Sequence, residues 1–409
     1  MISYTITRSD GKLLILQMNI NKPLTNGRLF ILILVVTVAG MSQGMLMPLL
    51  TILLDRSGVS ADANGFNAVA LYIGIFSTMF FIEKPVRRFG YKPVITVGMI
   101  LVTLATCLFP VWQQLGFWFV LRLMVGVGDS ALHFATQLWI VSSSPKAHRG
   151  RNISLYGMAY GLGFSLGPIG ISLLKSGTWV PFLTTSGFFL IVLAFLLRLP
   201  NERPEQSESG EAVHKRASKV FALAWFPLIP SLLYGYMEAS MNSNFPLYAL
   251  RIGLTEDNIG LLLPIIGIGG LIMQLPLGIW SDRIGRKNIL MVAGFVGAFA
   301  FVCLPLAGSN MWLIGVLFGI AGGMVGSFFS LGLAYAADIL PKHLLPTANV
   351  IGSIQYSMGS IAGPLIGGLS LRYLSYASIF YFLGFFYFIF VVAGFAFQRS
   401  GGWKKTLRP

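Results

Sequence analysis

Residues 29–54 read LFILILVVTVAGMSQGMLMPLLTILL and contain no Asp, Glu, Lys or Arg. A helix needs about 20 consecutive, mostly apolar residues to cross the hydrocarbon core of a bilayer, so this run predicts a membrane-spanning helix. The whole chain has the same character, because 55% of its 409 residues are hydrophobic and only 11% are charged. Soluble domains carry about 25% charged residues. This composition excludes a soluble or disordered protein, and two cysteines exclude a disulfide scaffold.

Further apolar stretches follow the first, and clusters of charged or turn-forming residues separate them. The twelve predicted spans cover residues 29–54, 65–82, 93–111, 116–142, 152–174, 179–198, 221–249, 258–280, 289–307, 312–337, 347–371 and 377–397. We therefore predict an all-α membrane protein with twelve transmembrane helices.

The net charge of +15 is explained by membrane topology and not by a nucleic-acid partner. Of the 29 Lys and Arg residues, 24 fall in the termini and in every second loop, and four fall in the other loops. Lys and Arg collect on the cytoplasmic side of membrane proteins. The sequence thus predicts a multi-pass protein of the plasma or inner cell membrane with both termini in the cytoplasm. The four outer cations are Arg56, Lys175, Arg251 and Arg372.

The two halves of the chain repeat each other at an offset of 195 or 196 residues. The matches include Asp62 with Asp257, Cys107 with Cys303, Pro145 with Pro341 and Pro168 with Pro364. The predicted units are a cytoplasmic tail (1–28), a six-helix half (29–198), a cytoplasmic linker (199–219), a second six-helix half (220–398) and a cytoplasmic tail (399–409). Two pseudo-symmetric halves suit a transporter that rocks one half against the other around a central site.

The loop between the eighth and ninth spans reads GIWSDRIGRK over residues 278–287. It resembles the loop signature of the major facilitator superfamily, in which a Gly is followed four residues later by Asp-basic-x-Gly-basic-basic. A glycine lets two helices touch, and the Asp can cap a neighbouring helix N-terminus. The alternative is an ordinary turn whose positive charges keep it in the cytoplasm. The predicted inner-gate residues are Gly278, Asp282, Arg283, Gly285, Arg286 and Lys287.

The equivalent first-half loop departs from this signature, because Glu83 stands in the place of Gly278 and Arg87 in that of Asp282.

Two other segments are similar to motifs of the drug/proton antiporter branch: an Arg-x-x-x-Gly-x-Gly run that begins at Arg122, and a duplicated Gly-x-x-x-Gly-Pro. The resemblance implies the superfamily fold. We also expect the protein to function as a monomer. The alternative for the duplicated motif is tight helix packing. Its residues are Gly163, Gly167, Pro168, Gly359, Gly363 and Pro364.

Charged residues inside a membrane span cost about 2.5–3.5 kcal/mol on insertion scales, so they are rare and mark functional positions. Arg122, Asp129 and His133 share one face of the fourth span, and Glu238 lies in the seventh. We predict that these four form the proton-coupling site, with Asp129 carrying the proton and His133 as its partner. The alternatives are a buried ion pair that locks the fourth span, and a hydrogen bond from Glu238 to Tyr234 or Asn242. The predicted substrate-binding residues are Gln43, Gln137, Tyr234 and Asn242.

The sequence therefore predicts a secondary transporter that works by alternating access and exports a small amphiphilic or drug-like compound against protons. Proton-coupled uptake of a polar metabolite or sugar remains open, as does a lipid flippase or a membrane enzyme that acts on lipids. The expected partners are a small-molecule substrate, protons and the bilayer. No phosphate-binding glycine loop and no Cys/His cluster of metal spacing occurs, so no cofactor, metal or catalytic residue is predicted.

Overall fold

A computed structural model of the chain describes residues 25–145, 148–204 and 213–397, together with a two-residue ladder between β1 (Arg8–Ser9) and β2 (Lys12–Leu13). The other regular elements of the described chain are helices. The helices are α1 Asn26–Arg56, α2 Ala61–Thr78, α3 Glu83–Phe89, α4 Tyr91–Leu108, α5 Leu115–Ser143, α6 Arg149–Leu166, α7 Val180–Leu196, α8 Val213–Arg251, α9 Glu256–Ile284, α10 Arg286–Cys303, α11 Met311–Val325, α12 Phe328–Ile339, α13 Leu345–Tyr373 and α14 Ser378–Ala396. Short 3-10 helices cover Gly167–Ser176, Leu304–Ala307 and Lys342–Leu344.

Nine stretches of the described chain are long and apolar enough to cross a membrane, and a tenth arises when α2 and α3, which are bent by 57°, count together. Two predicted spans do not meet that standard. The apolar helix α7 has 17 residues, and α13 has 29 residues but is rich in glycine and serine where it packs on α8. With these two helices, the twelve predicted spans are all present as helices.

Several predicted spans contain breaks that hydropathy did not indicate. The fifth span changes from α-helix to 3-10 helix at Gly167, next to Pro168, because proline has no N–H group to donate. The tenth span divides into α11 and α12 at Gly326, where a Cβ would lie 2.6 Å from Gly270 Cα of α9. The seventh begins at Val213, inside the predicted linker, and kinks at Ala224.

The internal repeat is visible in how the helices pack. Helix α6 lies against α1, and α13 lies against α8 in the same way. A Cβ on Gly163 would overlap the carbonyl oxygen of Thr37, and one on Gly359 would overlap that of Leu232. The duplicated glycine motif therefore brings the fifth and eleventh spans into close contact with the first and seventh.

The bundle has two ends, which we name by the chain segments they hold. The linker face holds residues 199–204, and the far face is the end at which α1 finishes at Arg56. The two halves meet where α2 packs against α13 and where α6 packs against α9. Near the far face a Cβ on Gly65 of α2 would overlap the carbonyl oxygen of Pro364 of α13. The halves are thus in close contact at the far face.

Candidate functional site

The centre of the bundle contains two hydrogen bonds that are related by the internal repeat. Tyr356 of α13 donates to Glu238 Oε2 of α8 at 2.6 Å, and Tyr160 of α6 donates to Gln43 Oε1 of α1 at 2.8 Å. Gln43 and Glu238 are equivalent at offset 195, and the two tyrosines are equivalent at offset 196. The same hydrogen bond therefore occurs in both halves, but its acceptor is an ionisable group only in the second half.

The aromatic neighbours of the two tyrosines also correspond. His133 meets the Tyr160 ring edge-on with centroids 4.8 Å apart, and Phe329, its equivalent at offset 196, meets the Tyr356 ring edge-on at 5.9 Å. Tyr234 of α8 stacks on Tyr356 with centroids 6.0 Å apart. Aromatic rings of both halves thus line the region between α1, α6, α8 and α13.

Asp129 and His133 are neighbours on α5, as their spacing of four residues predicts. The Asp129 Oδ1 atom lies 3.6 Å from His133 Nε2, and His133 Nδ1 lies 2.8 Å from the Tyr156 hydroxyl. Asp129 is only 5% exposed and Glu238 only 9%. In the described part of the chain, neither carboxylate has a Lys or Arg within ion-pair distance. The site therefore holds, in each half, one buried carboxylate that has no Lys or Arg partner among the described residues.

Arg122 shares the helical face of Asp129 but is not part of its network. Its Nη1 atom points at Met47 Sδ of α1, 3.9 Å away, and its side chain lies about 10.5 Å nearer the far face along α5 than Asp129. The alternative interpretation of this helix face was a buried ion pair. Arg122 and Asp129 do not form one with each other.

The other predicted binding residues divide between the site and its surroundings. Asn242 donates from Nδ2 to the backbone oxygen of Glu238, while the Glu238 carboxylate bonds to Tyr356 rather than to Tyr234 or Asn242. Gln137 is exposed on α5, one turn beyond His133, and joins none of these bonds. Sequence reasoning missed Tyr160, Tyr356 and Tyr156, although the offset of 196 links the first two.

The second-half loop keeps its ion pairs within its own half. Asp282 Oδ1 lies 2.9 Å from Arg286 Nη2, Arg286 Nε lies 2.7 Å from Asp338 Oδ2, and Lys287 Nζ donates to Phe397 O at 2.7 Å. A Cβ on Gly278 would meet no described atom within 4 Å. In the described part of the chain, neither the expected helix contact at Gly278 nor the expected cap by Asp282 is formed in this conformation. The inner-gate role of these residues stays a prediction.

The first-half loop, which departs from the superfamily signature, is contacted by the first residues of the linker. Glu83 pairs with Arg87 of the same short helix at 2.6 Å, as Asp282 pairs with Arg286 in the second half. The linker residues cover the start of α4. Asn201 Oδ1 accepts from the Lys92 N–H at 3.2 Å, and the Glu202 carbonyl oxygen accepts from the Tyr91 N–H at 2.9 Å.

The Glu202 carboxylate is the centre of this contact. Its Oε2 atom lies 2.7 Å from Arg28 Nη2 and accepts from Trp139 Nε1 at 2.8 Å and Ser143 Oγ at 3.1 Å. Burial opposes ionisation of Glu202, but the bonds from Arg28, Trp139 and Ser143 outweigh it and hold the pKa of Glu202 below its usual value of 4.5. Glu202 therefore anchors the linker as an anion.

At the far face, all four cations of the predicted outer loops bind acids of the opposite half. The Arg251 guanidinium holds both oxygens of Asp55 at 2.6 and 3.1 Å, and Arg372 binds Asp62 at 2.6 Å. Lys175 pairs with Asp257, and Arg56 pairs with Glu256. The pairs of Lys175 and Arg372 are repeat equivalents, since Asp62 and Asp257 match at offset 195. We call these four pairs the far-face belt.

The sequence model of the Major Facilitator Superfamily matches residues 32–270 and 228–409. The chain belongs to the Major Facilitator Superfamily. It is 41% identical over 359 residues to the MFS-type transporter YfkF of Bacillus subtilis strain 168, which covers 87% of this chain and 91% of that protein. It is 24% identical over 289 residues to YcaD, an MFS-type transporter of Shigella flexneri, with 68% and 72% covered.

Solved structures show the same superfamily fold. The nucleoside transporter NupG aligns with a TM-score of 0.72 at 14% identity, covering 91% of this chain and 99% of that one. A bacterial homologue of the human lysosomal transporter Spinster, in an inward-facing and unoccupied conformation, aligns at 0.66 with 14% identity over 90% and 95%. At these identities the likeness concerns the fold alone. The superfamily assignment confirms a multi-pass, all-α membrane protein that is a secondary transporter and not an enzyme.

Proposed function

We propose that this protein exports small amphiphilic compounds across the cell membrane in exchange for protons. The observation that carries the proposal is a pair of buried carboxylates without a Lys or Arg partner among the described residues, Asp129 on α5 and Glu238 on α8. A carboxylate that is alternately wetted and buried exchanges a proton with each change of environment. A group whose proton binding differs between two states of a transporter couples the proton gradient to the change of state.

Two features support an amphiphilic substrate. The rings of Tyr160, Tyr234, Phe329 and Tyr356 supply apolar surface, and the tyrosine hydroxyls and the Gln43 amide supply a few polar groups. Binding sites for such compounds are mostly apolar with a small number of placed polar groups. The similarity of the Arg122 and Gly163 motifs to those of drug/proton antiporters favours export.

The proposal assigns the linker face to the cytoplasm, because 24 of the 29 Lys and Arg residues belong to segments on that side. The far-face belt then holds the outer side closed, and the site opens inward. In that state we expect the compound to enter from the cytoplasm while Asp129, with His133 as its partner, releases a proton there. We retain the predicted boundaries of the tails, halves and linker as part of this proposal, although α8 begins at Val213, inside the predicted linker.

Transport into proteoliposomes tests the coupling. A panel of amphiphilic dyes is assayed with and without a pH gradient for the wild type, for Asp129→Asn and for the matched control Glu83→Gln, an exposed carboxylate on α3. We expect Asp129→Asn to melt near the wild type and to exchange dye, but to lose accumulation driven by the gradient. Full gradient-driven accumulation by Asp129→Asn would refute the role of Asp129.

A second candidate, proton-coupled uptake of a polar compound, is favoured by the buried amides that α1 and α8 present, Gln43 and Asn242. Nucleosides and sugars in the same proteoliposome assay decide between the two. Gradient-driven uptake of a polar compound, together with no movement of any dye, would replace export of amphiphiles as the assigned function.

A further inference from the structure

The guanidinium of Arg122 is buried without a counter-charge. The residue is 2% exposed, and no carboxylate of the described residues lies within ion-pair distance of it. Nη1 faces only the weak acceptor Met47 Sδ. Nε and Nη2 have no hydrogen-bond acceptor among the described residues. A buried cation in this condition destabilises the protein unless an anion joins it.

The two free nitrogens lie along one edge of the guanidinium plane. This edge presents two parallel N–H groups, the arrangement with which arginine binds the two oxygens of a carboxylate or converges on a single anion. Asp129 cannot take this place, because it lies about 10.5 Å away along the same rigid helix. Its carboxylate is instead 3.6 Å from His133 Nε2.

Arg122 borders a cavity of about 10 Å³ between α1, α2 and α5. A volume of roughly 10–15 Å³ on this measure admits one water-sized sphere. Gln43 also lines the cavity, and since its Oε1 accepts from Tyr160, its Nε2 group has only hydrogens to donate. The other lining side chains, among them Leu46, Leu71 and Val125, are apolar. The polar groups around the cavity are therefore donors, apart from the Met47 sulfur.

We propose that Arg122 and Gln43 form a binding site for one small monovalent anion. One monovalent anion would neutralise the single positive charge of the Arg122 guanidinium. A water molecule would fill the cavity but leave that charge unneutralised. The N–H groups of Arg122 and Gln43 can bind either a free halide or the carboxylate group of a transported compound. A carboxylate compound requires the cavity to widen, which we expect when the two halves move. This site does not depend on the proposed direction or on proton coupling.

The test measures the melting midpoint of the purified, full-length protein in potassium chloride, potassium benzoate or potassium methanesulfonate at equal concentration. Methanesulfonate is the monovalent reference. Like benzoate it exceeds the cavity in this conformation, but it lacks the planar carboxylate and the large apolar body of an amphiphilic substrate. We expect the midpoint to rise with chloride, and binding of radiolabelled chloride in equilibrium dialysis to saturate near one ion per chain. A rise with benzoate and none with chloride assigns the site to a substrate carboxylate.

Three variants locate the effect. Arg122→Gln removes the charge, and Val125→Ile fills the cavity while it leaves the donors in place; both should abolish the anion dependence. Val125→Ile decides the matter if Arg122→Gln does not fold. Arg198→Lys, at an exposed arginine that stacks on Phe195, is the control and should respond like the wild type. The proposal is overturned if neither anion shifts the wild type, or if the shift persists in Val125→Ile.

Discussion

Tyr356 donates a hydrogen bond to Glu238, and the repeat-related Tyr160 donates the same bond to Gln43. The contact occurs in both halves, and its acceptor is an amide in the first half and a carboxyl group in the second. The two halves are thus alike in shape at the centre of the bundle and unlike in charge. This difference concerns the contact alone, because the first half carries its own buried carboxylate, Asp129, on α5.

In Glu238→Gln, the second half should contain the same hydrogen bond from a tyrosine to an amide oxygen as the first half. The amide oxygen still accepts from Tyr356, so we expect little loss of stability but a loss of gradient-driven accumulation in proteoliposomes. Tyr356→Phe is the complementary change, because it leaves a buried carboxylate without its donor and should lower the unfolding free energy by about 1–3 kcal/mol. Gradient-driven accumulation by Glu238→Gln at the wild-type level would argue against a role for Glu238 in coupling.

Gly65→Ala should keep the far face from closing. The new Cβ would overlap the carbonyl oxygen of Pro364, which belongs to the other half, so each half can still fold. We expect spin labels at Ser57 and Ser375, both exposed at the far face, to move apart in the variant.

The control for this experiment is Gly126→Ala, whose Cβ would overlap the Leu71 carbonyl within the first half. That change should lower the melting midpoint because it disturbs packing inside one half. If Gly65→Ala leaves the label distances unchanged, the contact between α2 and α13 does not limit closure.

Glu202→Gln should alter the response of stability to acid. The pKa of Glu202 in the folded protein lies below its usual value of 4.5, so its contribution is complete above that pH and is lost as the pH falls through the folded value. We expect the variant to be less stable than the wild type at pH 7 by about 1–3 kcal/mol, and this difference to shrink below about pH 4.5.

Melting curves between pH 3.5 and pH 7 check this, with Glu83→Gln as the control for an exposed glutamate. A difference between Glu202→Gln and the wild type that stays constant across that range would show that the Glu202 charge does not anchor the linker.

Membrane orientation can be read from two exposed positions. A cysteine at Lys84 marks the linker face and one at Ser57 marks the far face; Cys107 and Cys303 are replaced beforehand. A membrane-impermeant thiol reagent on intact cells should label Ser57→Cys and spare Lys84→Cys. The reverse pattern would invert the proposed topology.

The spans were predictable because hydropathy is a local property of the chain. All twelve are present, including α13, which packs its glycines and serines against α8. The breaks were not predictable from local pattern. The division between α11 and α12 at Gly326 depends on the approach of Gly270, a residue 56 positions earlier on another helix.

The site was predictable only in part. The spacing of Asp129 and His133 places them together on one helix turn, and the structure brings them within 3.6 Å. Glu202 was not found, because a glutamate in a polar linker has no pattern that distinguishes it. The pair of Asp62 and Arg372 joins residues 310 positions apart, and charge patterning along one chain does not reveal such partners.

The far-face belt also bears on how the protein is made. Each of its four pairs joins one half to the other, and in synthesis the N-terminal half leaves the ribosome first. Until the second half is inserted, Asp55, Arg56, Asp62 and Lys175 therefore stand in water with their charges unmatched. The belt forms only when both halves are present, so a chain truncated after the linker cannot close its far face.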